Sequence, residues 1–195
     1  MSDPAERELL RQARKGSQAA YECLQERLEV PIRRFVRRLV GPHDAEDDIV
    51  QDVFLALYLN LGRMDPPDRL RPFLFRMARN RCYDELRRQG RFQAVSFDEH
   101  AGDPVQFVHE EWLVPDQVMQ HRYLVMEVIR AMERLPEAQR QALILYGEED
   151  LSYEQVAEAM GTTIGTVKSR IHAARRRLRQ LVGSETLAAL GIRRK

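Results

Sequence analysis

Apolar residues recur at intervals of three and four positions along most of the chain, and no segment alternates as a β-strand would. The pattern predicts an all-α fold with two small helical domains. In the first domain the predicted helices cover residues 4–15, 17–40, 44–62 and 70–88. In the second they cover residues 121–134 and 137–146, then a short helix after Ser152 and a last helix ending near Val182.

Glycine and proline set the limits of several of these helices. Pro31 lies inside the second helix, where it should kink the helix or end its first half. Gly41-Pro42 predicts a stop, and the segment MDPPD at 64–68 predicts a loop. Pro72 is compatible with a helix only in the first turn, so the fourth helix should begin near Leu70.

Net charge divides the chain into three parts. Residues 1–90 carry +2, residues 91–120 carry −5 and residues 121–195 carry +4. The middle part contains Pro104 and Pro115 and has no sustained helical period, so it predicts a flexible acidic linker between the domains. Within the first domain, basic and acidic blocks alternate along the sequence, which suggests separate faces for separate partners.

The composition excludes several classes of protein. With 195 residues, 44% of them hydrophobic, the chain can build a packed core. It has no run of about 20 apolar residues, the length that a membrane span needs, and its polar N-terminus does not resemble a secretion signal. We therefore expect a cytoplasmic protein with no direct membrane insertion, and two buried free thiols at Cys23 and Cys82.

The second domain contains the pattern of a helix-turn-helix. Ser152 and Gln155 form a capping box before a short helix, Gly161 ends it, and Thr163 is placed to cap a longer basic helix. The stripe of that helix predicted to be buried consists of Ile164, Val167, Ile171, Ala174 and Leu178. The opposite face presents Gly165, Ser169, His172, Ala173 and Arg176, flanked by Thr166, Lys168, Arg175 and Arg177. Small and polar residues suit contact with base edges, and arginines suit contact with phosphates, so this face predicts DNA binding. The alternative is a solvated basic helix that only packs on a helical bundle.

The third predicted helix has an acidic outer face. Its buried stripe consists of Ile49, Val50, Val53, Phe54, Leu57 and Leu61. This leaves outward Asp44, Asp47, Asp48, Gln51, Asp52 and Leu55. A row of carboxylates with one exposed leucine suits a basic partner helix, because matched charges speed the encounter. The alternative is an acidic face that only keeps the domain soluble.

Two separate segments resemble the extracytoplasmic-function sigma factors of the sigma-70 family. The segment LPEAQRQALILYGEEDLSYEQVAEAMGTTIGTVKSRIHAARRRLRQ resembles their C-terminal promoter-binding region, and GTVKSR followed by an arginine-rich helix is very specific for it. In the N-terminal half, DAEDDIVQDVFLALY and RPFLFRMARNRCYDELRR resemble the second conserved region. The resemblance covers about residues 17–90 and 121–182.

The resemblance implies a division of labour between the domains. It implies that residues 1–90 dock on the clamp helices of the largest RNA polymerase subunit and help to open the minus-ten element. It implies that residues 121–195 read the minus-thirty-five element and touch the flap of the other large subunit. The docking set is then the outward face already named: Asp44, Asp47, Asp48, Gln51, Asp52 and Leu55.

The resemblance also implies two sets of DNA-binding residues. For the minus-thirty-five element these are Thr163, Thr166, Lys168, Ser169, His172, Ala173, Arg176 and Arg177. For the minus-ten element they are Arg63, Asp65, Arg69, Arg76 and Asn80, around a loop that relatives use as a base pocket. Two positions depart from the family: Ala173 stands where arginine is common, and Phe73 stands where tryptophan is frequent. We expect Phe73 to be a core residue.

The expected partners are core RNA polymerase, promoter DNA and an anti-sigma factor. We expect no cofactor, no metal and no enzymatic activity, because the sequence has no glycine-rich phosphate loop, no metal-ligand spacing and no nucleophile motif. The linker, residues 91–120, either keeps the free protein off DNA, threads through the polymerase cleft, or is a plain tether. The alternative function is a stand-alone helix-turn-helix repressor or activator, although no dimer seam is visible.

Overall fold

The computed structural model describes residues 3–41, 44–90, 116–183 and 186. Over these residues the fold is entirely helical, as the sequence predicts. The eight α-helices of the described part are α1 (Pro4–Arg14), α2 (Gln18–Val40), α3 (Glu46–Asn60), α4 (Leu70–Arg88), α5 (Asp116–Glu133), α6 (Glu137–Gly147), α7 (Tyr153–Met160) and α8 (Ile164–Leu181). Two short 3-10 turns, Leu61–Arg63 and Pro67–Arg69, lie between α3 and α4.

The helix limits agree with the sequence except at one place. Helix α2 covers the predicted range to within one residue, and Pro31 lies inside it without ending it. Helix α5 begins at Asp116, within the stretch predicted to be linker. The rest of the predicted linker and most of the tail after Gly183 lie outside the described residues. Pro72 is buried in the first turn of α4, as expected.

Helices α1 to α4 form the first unit around a core of leucine and phenylalanine side chains. The rings of Phe35 and Phe75 meet edge to face with centroids 5.2 Å apart. Phe73 is only 9% exposed, which confirms it as a core residue. The hydroxyl of Tyr21 donates to the carbonyl of Phe54 at 2.8 Å, and burial raises the pKa of Tyr21 to about 12. This bond joins α2 to α3 inside the apolar core.

A buried carboxylate fixes the start of α3 against α2. Glu46 is 6% exposed and accepts two hydrogen bonds from Arg37, both at 2.9 Å, and one from Arg33 at 3.2 Å. Arg33 also bonds Glu29 and Asp47. The basic block on α2 was expected to form a partner face, yet these two arginines act inside the domain. Burial of Glu46 requires them, because an unpaired buried charge is strongly destabilising.

Helices α5 to α8 form the second unit, and its core is continuous with that of the first. Its buried apolar side chains include Ile144, Leu145, Val156, Val167 and Ile171, which join one cluster with the core of α1 to α4. The carboxylate of Glu127 in α5 accepts from the backbone N–H of Gly183 at 2.6 Å and from the Thr186 hydroxyl. These bonds lower the pKa of Glu127 and tie α5 to the segment after α8.

Two predictions of burial are wrong. Cys82 is buried, which raises the pKa of its thiol, but Cys23 is exposed on the outer side of α2. Ile164, placed in the buried stripe of α8, is 39% exposed because it is the first residue of the helix and has no preceding turn to pack beside. Leu61 and Leu178 are half-buried and lie at the edges of their stripes.

Substitution of two leucines in α3 tests the orientation of that helix. Leu57 is fully buried and Leu59 is 73% exposed, although they are two residues apart. Leu57→Ala should lower the free energy of unfolding by about 2–5 kcal/mol, because it leaves a cavity. Leu59→Ala should change it by less than about 0.5 kcal/mol. Urea denaturation followed by circular dichroism measures both, and equal losses would mean that α3 is rotated from the described orientation.

Candidate nucleic-acid interface

Local hydrogen bonds fix the turn between α7 and α8. The Ser152 hydroxyl accepts from the Gln155 N–H at 3.2 Å, and the Gln155 side chain accepts from the Ser152 N–H at 3.0 Å, which is the predicted capping box. Gly161 ends α7 with a φ of 62°, a left-handed conformation that glycine adopts at little cost. The Thr163 hydroxyl then accepts from the Thr166 N–H at 3.2 Å and caps α8. The predicted helix-turn-helix is therefore present.

Helix α8 separates its apolar and polar residues as predicted. Val167, Ile171 and Ala174 are buried against α6 and α7. Of the predicted minus-thirty-five residues, those exposed are Thr163, Lys168, Ser169, His172, Arg176 and Arg177, whereas Thr166 and Ala173 are half-buried. The Ser169 hydroxyl donates to the Thr166 carbonyl at 2.9 Å. One face of α8 thus carries small and polar groups near its start and cations toward its end.

A pair of tyrosines that the sequence pattern did not predict lies beside this helix. The rings of Tyr146 in α6 and Tyr153 in α7 are stacked, with centroids 4.7 Å apart and planes 14° from parallel. The Lys168 ammonium lies over the Tyr153 ring at 5.5 Å, and the Arg175 guanidinium lies over the Tyr146 ring at 5.4 Å. The hydrogen bond with Tyr146 raises the pKa of the Tyr153 hydroxyl. These four residues form a tyrosine–cation cluster.

The outer face of α3 combines carboxylates with exposed apolar groups. The predicted docking residues are exposed except Asp52, which is half-exposed and pairs with Arg81 at 3.2 Å. Leu55 is 56% exposed, as expected. Tyr58 and Leu59, on the following turn, are 52% and 73% exposed and were not foreseen. We call the predicted docking residues together with Tyr58 and Leu59 the α3 strip.

The predicted minus-ten residues divide into two places. Arg63, Asp65 and Arg69 are exposed in the segment between α3 and α4, where Asp65 pairs with Arg14 at 3.4 Å. Asn80 is exposed on α4, about 16 Å farther along the helix by its rise per residue. Arg76 is half-buried, with its guanidinium over the Phe73 ring at 5.9 Å. The predicted minus-ten residues are therefore spread along α4 and the segment before it, and they do not enclose one pocket.

A buried glutamate joins the second unit to the first. The Glu149 side chain is 2% exposed and accepts from Arg34 at 2.6 and 3.1 Å. Arg71 donates to the Glu149 carbonyl oxygen at 3.3 Å and also to the buried Glu6 at 2.7 and 3.0 Å. Burial raises the pKa of Glu149, although Arg34 opposes that shift. These residues are far apart in sequence, so spacing alone does not reveal the contact.

Polar contacts also join α4 to the second unit. Arg79 donates to the side-chain Oε1 of Gln141 at 3.1 Å, and the side-chain Nε2 of Gln141 donates to the Tyr83 hydroxyl at 2.6 Å. Arg170 of α8 is half-buried, and both burial and the nearby Arg79 lower its pKa. Near the start of α4, the Gln155 amide donates to the Asp68 carbonyl at 3.3 Å. The two units are therefore closed against each other.

Two other kinds of site are absent from the part of the chain that the structure describes. No cluster of three histidine, cysteine, aspartate or glutamate side chains there has the arrangement of a metal site. No described helix combines the length and apolar character that crossing a bilayer requires.

Comparison with known proteins agrees with this architecture. Residues 24–92 match the family profile of sigma-70 region 2, and residues 126–178 match that of sigma-70 region 4. The ECF RNA polymerase sigma-E factor of Escherichia coli K12 is 33% identical over 171 residues, covering 86% of this chain and 88% of the relative.

Two solved structures are similar over most of the chain. CnrH, in complex with the cytosolic domain of CnrY, has a TM-score of 0.64 at 26% identity, covering 91% of this chain and 96% of CnrH. The sigma factor RpoE of Bartonella quintana, in complex with the anti-sigma factor NepR, has a TM-score of 0.57 at 28% identity, covering 82% of this chain and 96% of RpoE. The chain therefore belongs to the extracytoplasmic-function group of the sigma-70 family, the factors that direct RNA polymerase to begin transcription at specific promoters.

Proposed function

We propose that the two helical units divide promoter recognition between them. Residues 1–90 dock on core polymerase and contact the minus-ten element, and residues 121–195 read the minus-thirty-five element and touch the polymerase flap. The observation that carries the assignment is the capped helix-turn-helix whose second helix exposes a basic face. Polymerase supplies the chemistry, so we assign no catalytic residue to this chain.

The exposed face of α8 supports sequence reading at its start and backbone contact at its end. Ser169 and His172 offer hydrogen-bonding groups where a helix approaches base edges. Arg176 and Arg177, one to two turns farther on, suit phosphates, which fix register without specifying sequence. Ala173 carries no charge where relatives commonly have arginine, so either Arg176 and Arg177 compensate for the missing cation or the Ala173 methyl group packs on a thymine methyl. The promoter sequence of arginine-bearing relatives therefore does not transfer to this chain.

The α3 strip supports docking on a basic helix of polymerase. Its carboxylates supply long-range attraction, and Leu55, Tyr58 and Leu59 supply apolar area that becomes buried on contact. An exposed aromatic beside two leucines is typical of the centre of a protein interface, whereas charges alone are typical of the rim. We propose the clamp helices of the largest subunit as the partner of this strip.

The closed arrangement of the two units has to open for both elements to be read together. The two promoter elements lie about 25 base pairs apart, which is about 85 Å along B-form DNA. A compact chain of this length has a radius of gyration of about 16 Å. Contacts such as Arg34–Glu149 therefore break in the holoenzyme. Because RpoE of Bartonella quintana binds an anti-sigma factor, we propose that an anti-sigma factor also controls this chain.

Reconstitution with core polymerase tests the function as a whole. The purified chain should co-elute with core enzyme on size exclusion and should direct transcription from sites that core alone ignores. A stand-alone repressor or activator would instead bind palindromic DNA as a dimer without polymerase. Failure to associate with core would overturn the proposal.

Reversal of one charge on the α3 strip should weaken docking. Asp48→Arg should lower core affinity by at least about tenfold, because like charges then face each other at the interface. Glu26→Arg makes the same charge change at an exposed site on α2 and should bind normally. Competition binding to core measures the effect, and circular dichroism should show both variants folded. Unfolding of Asp48→Arg would contradict its outward placement.

Removal of one cation from α8 should weaken promoter binding without changing specificity. Arg176→Ala should reduce holoenzyme affinity by about threefold to tenfold, since it loses a charge-assisted phosphate contact. The slope of log affinity against log salt should become shallower by about 1. Arg134→Ala, an exposed arginine before α6, is the control. A change in preferred sequence would show instead that Arg176 reads a base.

Repulsion at the unit interface should open the free chain. Arg34→Glu places a carboxylate beside Glu148 and Glu149, while Arg27→Glu alters an exposed arginine of the same helix that pairs with Asp3. Small-angle X-ray scattering should give a radius of gyration several ångström above about 16 Å for Arg34→Glu only. An unchanged radius would mean that apolar contact, and not this ion pair, holds the units together.

A further inference from the structure

The tyrosine–cation cluster lies at the border between the second unit and the exposed face of α8. Tyr146 and Tyr153 are half-buried, whereas Lys168 and Arg175 are exposed. The two cations are seven residues apart on α8, so they lie on one edge of the helix, about 10.5 Å from each other. That edge flanks the face proposed to enter the major groove. Both tyrosines pack against the core that contains the buried stripe of α8, and each also lies under one cation of that helix.

Contact with a ring restricts where each cation can lie. A lysine or arginine on a helix surface samples many rotamers, and a phosphate contact must restrict them on binding. The rings hold Lys168 and Arg175 at 5.5 and 5.4 Å before DNA arrives. Each ring in turn holds the other in place. Tyr146 lies in α6 and Tyr153 lies in α7, and the two rings stack nearly parallel. The exposed end of each cation remains available to an acceptor.

We propose that Tyr146 and Tyr153 are positioning residues that preset Lys168 and Arg175 for contact with the DNA backbone. This inference rests on the proposed reading of the minus-thirty-five element by α8. The π-face of each ring attracts the cation above it. The N–H groups of that cation remain free to bind phosphate oxygens. The hydroxyl groups are not required, so phenylalanine can replace either tyrosine.

Substitutions at Tyr153 and Lys168, alone and together, test the proposal in the holoenzyme. The probe is a duplex that the wild-type holoenzyme selects from a random-sequence library. Tyr153→Leu should lower affinity for this duplex by about twofold to tenfold, the range expected when one rotamer-rich side chain must be ordered on binding. In a Lys168→Ala background the same substitution should cause a smaller loss, limited to the part that acts through Tyr146 on Arg175. Tyr153→Phe should restore the wild-type affinity and its salt dependence.

Three results would overturn the proposal. The first is an equal loss from Tyr153→Leu with and without Lys168, since that indicates a general structural effect. The second is a loss with Tyr153→Phe as large as with Tyr153→Leu, which would assign the contact to the hydroxyl. The third is no loss with Tyr153→Leu. If Tyr153→Leu lowers the melting temperature enough to unfold the second unit, the equivalent variants at the other pair test the proposal by the same comparison. These variants are Tyr146→Leu, Tyr146→Phe and Arg175→Ala.

Arg176→Ala separates failure of this inference from failure of the proposed function. Loss of binding with Arg176→Ala but not with Tyr153→Leu would retain α8 as the DNA-reading helix and reject the role of the tyrosines. No loss with either variant would reject the reading of DNA by α8 itself.

Discussion

Helix α4 has to satisfy two sets of neighbours at once, and the rest of the structure depends on that constraint. It packs against α2 and α3 in its own unit and against α7 in the other. Leu74, Ala78 and Cys82 are fully buried on it, while Arg79 and Tyr83 make polar contacts to the second unit. The remaining surface of α4 carries Asn80, one of the proposed DNA contacts. Packing and closure of the units therefore leave part of α4 exposed for the proposed recognition.

Arginine supplies 28 of the 31 basic side chains, and the buried carboxylates give this excess over lysine a structural cause. Glu6, Glu46 and Glu149 are all buried carboxylates, and each accepts hydrogen bonds from arginine. A guanidinium can give two bonds to one carboxylate and is less strongly hydrated than an ammonium, so it lowers the penalty of burying the charge. Part of the basic character that the sequence offers to nucleic acid is thus used inside the protein. Residues of α8 such as Arg176 and Arg177 remain exposed for a partner.

The features that the sequence predicted depend on interactions between residues close together in the chain, whereas the features that it did not predict depend on packing between helices. Capping at Ser152 and Thr163 and the left-handed stop at Gly161 depend on a few neighbouring residues, and all three are confirmed. The outward face of α3 follows from helical period alone. The exposure of Cys23 and Ile164 depends on which turns are covered by other helices, and the spacing of apolar residues along one helix does not indicate this.

The contacts that the sequence did not predict depend on how separate helices pack together. Arg34 and Glu149 are 115 positions apart, and Tyr146 and Tyr153, although near in sequence, lie on different helices and meet only because α6 and α7 pack side by side. The charge blocks predicted partner faces, but charge pattern alone does not distinguish an arginine that binds DNA from one that neutralises a buried glutamate. That distinction needs the tertiary structure.

Burial of charge at the contact between the units opposes closure. Burial raises the pKa of Glu149, which means that its ionised form is less well solvated in the closed chain than in water. Arg170 of α8 belongs to the same unit, and its pKa is lowered by burial and by the like charge of Arg79 across the contact. The hydrogen bonds of Arg34 to Glu149 and of Arg79 to Gln141 act in the opposite direction. If the units separate in the holoenzyme as proposed, water returns to Glu149 and Arg170 and the two arginines no longer repel each other, which offsets part of the loss of those hydrogen bonds.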